Sequence, residues 1–432
     1  MKSRPFRAAT LAMALTSLAG VAACSSGASS DQSSGQVTIE FWGWAPGYEK
    51  SVELFNAAHP GIHVTYSKIS PGSKGGYTKM LNAVKAGNAP CVGSVGFETL
   101  PTFAAAGALQ DATAAAAPYA KDYASWAFAR SGVAGRTFAL PVDIAPMALI
   151  YRKDLFAKYG ITTPPRTWDE YAADAAIIHA ADPNAYITYF GNDAYNFAGL
   201  AWQAGAKWFG TSGDKWTVDL DDPATKKVTA FWQGLIDKKL VKTVPSFDTA
   251  LYKGMGDGTI LSDVNAVWYT PILADSVKQT SGNWAVAPMP VWDTATPAAG
   301  NAGGTPNAVL KGCKHVKEAV EFAHWFGTDQ ASVTNLIKAT GIYPAALSGL
   351  ENPALAEPDP FYGDQKIFDV FKESAGRVDP SFQWGPVMTK TSGALGDGLG
   401  KAGSGGTSLD AALADAQAQT VAEMKTQGME IG

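Results

Sequence analysis

Apolar and polar side chains alternate from Val37 to Phe41 and the alternation breaks at Gly43, which predicts a strand running into a loop over residues 36–44. The next segment reads as a helix over residues 48–58, with Val52, Leu54 and Phe55 as apolar positions and His59-Pro60-Gly61 as its stop. A strand over 62–66, a helix over 77–86 closed by Gly87, a short strand over 90–95 and a helix over 98–106 follow. Short strands alternating with helices predict an α/β layer architecture with a largely parallel sheet. In such sheets ligands sit at the open strand ends.

Residues 137–151 are extended and twice interrupted by proline, as suits a strand leaving one domain and entering another. A short helix over 153–159 ends at Gly160. Thr167 opens the next helix, with Glu170 three places on completing a capping box. Asp222-Pro223 marks another helix start. A second passage, residues 284–292, leads through a Pro-, Gly- and Ala-rich loop to a strand over 307–310 and a helix over 317–326. Residues 341–344 resemble a turn after a helix. The remainder reads as mainly helical, with a loop over 396–407 and a last helix from Leu409 to about Lys425. Roughly 400 residues exceed what one core usually accommodates, so two domains are expected.

The first residues change the picture. Lys2, Arg4 and Arg7 precede an apolar, acid-free stretch ending Val21-Ala22-Ala23-Cys24, which reads as a secretory signal over residues 1–23. Cys24 is expected to be the lipid-modified first residue of the mature chain, and the Ser/Gly-rich residues 24–35 a flexible tether. No later stretch has the apolar length of a membrane span. The 34 basic and 39 acidic side chains give −5, and losing the three basic residues of the leader takes this to −8. That balance argues against nucleic acid as a partner. Cys91 and Cys313 are candidates for one disulfide in an oxidising compartment, or for two free buried thiols.

Four stretches, in this order, resemble the extracellular sugar-binding proteins of bacterial ATP-driven importers, similar in plan to maltose-binding protein. They are Val37-Thr-Ile-Glu-Phe-Trp-Gly-Trp44; Ala86-Gly-Asn-Ala-Pro-Cys-Val92; Tyr151-Arg-Lys-Asp-Leu-Phe-Ala-Lys-Tyr-Gly-Ile161 with Pro164-Pro-Arg-Thr-Trp-Asp-Glu170; and Gly303-Gly304 through Lys311 with Ala319-Val-Glu-Phe322. The resemblance implies a two-lobe periplasmic-binding-protein-like α/β fold, with hinge crossovers and a cleft between lobes. Lobe 1 would be residues 36–142 plus 301–328, and lobe 2 residues 143–300 plus 329–432. It further implies a carbohydrate ligand and the membrane permease subunits of an ABC importer as partners; the aromatic count leans toward an oligosaccharide, a monomer is expected, and lipid-modified Cys24 would hold the protein at the outer face of the cell membrane. Cys91 stands where the family commonly has an acidic residue. Because the family runs the returning strand beside the third one, the resemblance places Cys91 near Cys313 and implies a bridge.

A sugar offers C–H faces to flat rings and an edge of hydroxyls to polar side chains. With 13 Trp and 15 Tyr the chain has rings to spare. The expected site residues are Trp42 and Trp44 after the first strand, Phe97 and Glu98 after the third, and Asp143 at the first crossover. Asp193, Tyr195 and Asn196 form a polar-aromatic cluster expected in a loop. Trp268 and Tyr269 follow a strand end, Trp292 falls beside the second crossover, and Gly303 and Gly304 offer backbone N–H groups. Tyr343 and Trp384 complete the set. Trp126, Trp168, Trp232 and Trp325 fall in helices and are assigned to packing.

A secreted glycoside hydrolase is the main alternative, since paired carboxylates and aromatic grooves also serve hydrolysis; an oligopeptide-binding protein is another. Asp219, Asp221 and Asp222 precede Pro223, where acidic caps belong. Gly72-Ser-Lys-Gly-Gly76 lacks the ending of a phosphate-binding loop, and Pro60-Gly61 separates His59 from His63, so no metal, catalytic residue or cofactor is expected.

Overall fold

The computed structural model describes residues 35–213 and 215–432; the expected leader, Cys24 and the tether up to Ser34 lie outside the described residues. The strands that organise the chain are β1 (Val37–Gly43), β2 (Ile62–Lys68), β3 (Val92–Ser94), β4 (Ala139–Pro141), β5 (Met147–Arg152), β6 (Ser262–Ala266), β7 (Trp284–Pro288) and β8 (Pro306–Val309). They make a five-stranded sheet in the order β2-β1-β3-β8-β4 and a three-stranded sheet in the order β6-β5-β7.

Alternation along β1 sends Ile39 and Phe41 into the core. There Phe41 meets Phe322 and Phe326 of helix Val316–Thr328, with ring centroids 5.3 and 5.5 Å apart. Helix Tyr48–Ala58 adds Val52 and Phe55 to the same layer. Burying each such side chain stabilises the fold by about 1.5–3 kcal/mol. β1 runs parallel to β2 and β3, whereas β8 is antiparallel to β3 and β4. Strands β1, β3 and β4 therefore end at the edge where β8 begins. Everything presented at those four strand ends converges on one rim.

The second sheet departs from the expected parallel arrangement: β6 and β7 both pair antiparallel with β5. β5 carries the chain away from the first sheet and β7 carries it back, so the two must run in opposite senses. At the passages between sheets, Asp143–Ile144 pairs with Tyr343–Pro344, and Asn301 fastens the neighbouring strands together. Its Oδ1 accepts from the Ala145 N–H at 2.8 Å while its Nδ2 donates to the Gly303 carbonyl at 2.9 Å.

Helix Gln330–Thr340, just past the expected lobe boundary at residue 328, lies against helix Tyr48–Ala58 on the first sheet, with Asn335 bonded to Gly47 and Ser51. The expected loop over 396–407 is mostly helix, since Met388–Gly403 continues through its glycines. Gly398 faces Ala412 of helix Leu409–Thr426, where a Cβ would come within 2.8 Å, so glycine here lets two helices approach. The Thr167 cap forms, accepting from the Glu170 N–H at 3.1 Å, but Glu170 reaches the Arg166 N–H instead of that of Thr167. Cys91 and Cys313 are joined as a disulfide, their Cα atoms 4.5 Å apart, just outside the paired β3 and β8.

Candidate ligand-binding site

On the first rim, Trp44 follows β1 and Glu98 follows β3. Glu98 is turned inward: Tyr77 donates its hydroxyl to Oε1 at 2.7 Å, and Thr99 adds a longer bond at 3.4 Å. The Tyr77 oxygen in turn accepts from the Gly96 N–H at 3.0 Å. A Cβ at Gly96 would collide with both Glu98 carboxylate oxygens, so glycine makes the space for this carboxylate. Burial pushes the Glu98 carboxyl above its ordinary range, and the bonds from Tyr77 and Thr99 pull it back only in part. Trp44 stands edge-on to Tyr77, 5.7 Å between centroids.

Asp143 follows β4 and is 5% exposed. Its Oδ1 accepts from the Thr305 N–H at 2.7 Å. Burial nevertheless raises its pKa to about 7, the negative charge of Glu98 adding to the shift. Gly304 lies between the Phe97 ring and the Asp143 carbonyl with φ of +99°. A Cβ would sit 2.9 Å from Phe97 and 3.0 Å from that carbonyl oxygen, so this position requires glycine for both backbone and space.

The second sheet supplies the facing side chains. Trp268 follows β6, half-buried, and its indole N–H donates to the Ala302 carbonyl at 2.8 Å, which fixes the ring beside Gly303. Phe247 lies against it, centroids 6.1 Å apart at 27°, 38% exposed and with φ of +61°. That backbone conformation costs a bulky residue about 1–3 kcal/mol. Asp193, Tyr195 and Asn196 are not in a loop: Asp193 caps helix Ala194–Gln203, accepting from the N–H groups of Tyr195 and Asn196. Burial raises the Asp193 carboxyl, against those two bonds and the charge of Lys74 from the first-sheet side. Asn196 donates to the Val264 carbonyl at 2.9 Å.

Tyr195 joins the two rims. Its hydroxyl donates to Ser392 at 3.1 Å, while burial and the Glu98 charge hold its phenol above the usual range. Trp384 stands edge-on to Tyr195, 6.2 Å away, and its indole N–H is buried with no protein partner among the described residues. Below Asp193 and Asn196 a hollow of about 40 Å³, lined also by Ser246, Asp263 and Trp232, has room for a water or two but not for a six-membered ring.

The structure thus brings together Trp44, Glu98, Asp143, Asp193, Tyr195, Asn196, Trp268, Gly303, Gly304 and Trp384. The other expected residues sit apart from this band or serve as its backing. Trp42 lies on the first sheet with its N–H on Glu40 at 2.6 Å and Lys79 over its ring, so its N–H edge and one face are engaged. Tyr269 is fully buried, its hydroxyl on the Met255 sulfur at 3.5 Å. Trp292 packs against Trp168 and Phe231 under Lys227. Phe97 is buried under Gly304, and Tyr343 is buried in the short ladder with Ile144.

Sequence reasoning missed Tyr77, Thr99, Phe247 and Ser392. Only Phe247 left a trace, as a lone aromatic in the polar turn Pro245-Ser246-Phe247-Asp248. Tyr77 opens a helix and looks like ordinary packing, and Ser392 is one small residue in a glycine-rich run.

Two sheets passing the chain back and forth, with rings and carboxylates gathered where they meet, define a binding protein of mixed α/β class. The chain belongs to the bacterial extracellular solute-binding protein family, whose profile matches residues 42–333; its members are non-enzymatic binding components. Among solved structures it is similar to the galacto-N-biose/lacto-N-biose I-binding protein of an ABC transporter from Bifidobacterium longum, in complex with lacto-N-biose. That similarity is 32% identity and a TM-score of 0.85 over 92% of this chain and 99% of the other. An ABC transporter-associated binding protein from B. animalis subsp. lactis, in complex with β-1,6-galactobiose, is 30% identical with a TM-score of 0.81, covering 92% and 100% of the two chains. The arabinooligosaccharide-binding protein of Bacillus subtilis is 22% identical over 57% of this chain, and the match spans 58% of that protein's length. No helix among the described residues is long and apolar enough to cross a membrane.

Proposed function

We propose that this protein is the substrate-binding component of an ABC importer and takes an oligosaccharide between two hinged lobes. The observation that carries the reading is a band that holds both rings and carboxylates: Trp44, Glu98, Asp143, Tyr195, Trp384, Trp268 and Phe247. A sugar hydroxyl bonded to a carboxyl contributes about 0.5–1.5 kcal/mol where that group is neutral and about 1.5–3 kcal/mol where it is ionised, so several such bonds with a stacked ring reach micromolar affinity, roughly −8 kcal/mol. The sugars bound by the two bifidobacterial neighbours, both disaccharides, support a ligand of at least two rings.

The lobes of this reading are residues 36–142 with 301–342, and residues 143–300 with 343–432. A ligand touching both favours their closed arrangement by the contacts it makes only there. The permease subunits would then recognise the closed, loaded form. Cys24 would carry the lipid that holds the protein at the outer face of the cell membrane, the protein acting as a monomer. Processing and membrane retention that are lost in Cys24→Ser test the anchor.

The deciding experiment is a thermal-shift screen with mono- and oligosaccharides, including lacto-N-biose and β-1,6-galactobiose. A ligand that binds only the folded state raises Tm. A shift with one sugar class supports the reading; a flat response to every sugar, with a shift from peptides, overturns it.

A further inference from the structure

The segment that presents Trp384 is held from the opposite side of the molecule. Helix Ser125–Arg130 packs with the short hairpin that leads into β4, on the first sheet. Its last residue reaches away from that sheet: Arg130 Nη2 donates to the Phe382 carbonyl at 2.6 Å and to the Pro380 carbonyl at 3.2 Å. The guanidinium carbon lies 4.4 Å from the centre of the Trp202 ring and 5.1 Å from that of Trp126.

Its acceptors belong to the second-sheet side. Phe382 stacks on Trp202 at 4.5 Å and 11°, and the Trp202 N–H donates to the Asp379 carbonyl at 2.7 Å. The Asp379 carboxylate is already engaged by Lys207 and Ser381, so Arg130 closes on backbone carbonyls. Two residues beyond Phe382 comes Trp384, whose buried N–H has no protein partner among the described residues. That donor lies beside Tyr195, on the band described above.

We infer that Arg130 is a latch and positioning residue: it ties the two lobes together by seizing the Pro380–Phe382 carbonyls, and so sets Trp384 in the site only when the lobes are in this arrangement. This rests on the proposed lobe closure. Both bonds leave one nitrogen, Nη2, while the guanidinium carbon stays over Trp202, and a planar cation suits that combination better than an ammonium, which has no flat face to lay on the ring. The bonds exist only in one relative placement of the lobes, so they stabilise that placement without touching ligand. Removing them speeds ligand release more than it slows capture.

The test compares wild type with Arg130→Met, which keeps an apolar stem on Trp202 and Trp126, and with Arg130→Lys, which keeps the charge. Small-angle X-ray scattering gives the radius of gyration without ligand and at saturating lacto-N-biose or β-1,6-galactobiose; stopped-flow fluorescence gives the off-rate. The latch predicts a larger radius for Arg130→Met, an affinity lower by about tenfold to a hundredfold, carried by the off-rate, and no rescue by Lys. A wild-type radius and off-rate in Arg130→Met overturn it, as does full rescue by Lys. Should Arg130→Met fail to fold, Arg130→Lys carries the same comparison. If wild type binds neither sugar yet the ligand-free radius rises in the variant, the latch stands and these two disaccharides are ruled out as its ligands.

Discussion

Asp143 should make the protein less stable as pH rises, and replacing it by Asn should remove that loss. In the folded chain burial and the nearby Glu98 put its pKa at about 7, whereas an unfolded aspartate titrates near 3.9. Between those values the folded protein keeps a proton that the unfolded chain has released. Stability from this group is therefore full below about pH 4 and falls as pH rises to 7. Three pKa units at 1.36 kcal/mol each give a loss of about 4 kcal/mol by pH 8, an upper figure because local relaxation lowers it. In Asp143→Asn the amide oxygen would retain the bond from the Thr305 N–H while the side chain carries no charge. The variant should then match wild type near pH 4 and exceed it by up to about 4 kcal/mol at pH 8. Asp263, also raised to about 7 by burial, leaves a residual slope in the variant. Urea unfolding followed by tryptophan fluorescence at intervals from pH 4 to pH 8 measures both curves. Parallel curves for the two proteins would refute the reasoning.

Other outcomes follow from the same structure. The Cys91–Cys313 bridge closes a 222-residue span, worth about 5 kcal/mol of unfolded-chain entropy; unfolding midpoints with and without reductant check this, and two reactive thiols in denatured, unreduced protein would contradict it. Gly304→Ala should cost about 1–3 kcal/mol in the same assay, from a positive φ and the crowding of Phe97. Trp268→Ala and Trp44→Ala should each weaken sugar binding at least tenfold by calorimetry, while Trp42→Ala and Trp292→Ala leave affinity within about twofold. Normal binding by both of the first pair would undo the site assignment. Asp222→Ala, which removes the cap bonded to the Thr225 N–H, should lower stability by about 1 kcal/mol with no effect on binding.

Much of the fold was legible because it is written locally. Helix Tyr48–Ala58 shows its face and its Pro-Gly stop in the sequence, and β1 shows its alternation and its terminal glycine. What local pattern cannot carry is direction and distance. Nothing in residues 262–288 says that two strands will run against β5, because that follows from a chain that has to return to where it left. Glycines 396, 398, 400 and 403 weaken a helix locally, yet packing against Ala412 rewards the one at 398. The same limit governs the site. Trp44 and Trp268 were readable as rings after strand ends. Trp42 satisfied that rule equally well, but it still lies inside β1, where its indole bonds to Glu40, whereas Trp44 lies beyond the strand's end. Tyr77 was invisible because its role is a bond to a residue 21 positions away.

Strand β8 pairs with β3 although more than two hundred residues separate them, and all of the second sheet lies between. A chain emerging from its N-terminus therefore carries β1, β2 and β3 into the open with the centre of their sheet unfinished until residue 306 arrives. Non-local pairing of this kind slows folding. Completing the first sheet therefore waits until the whole of the second has been made, and joining β3 to β8 is the longest closure the fold requires of its sheets.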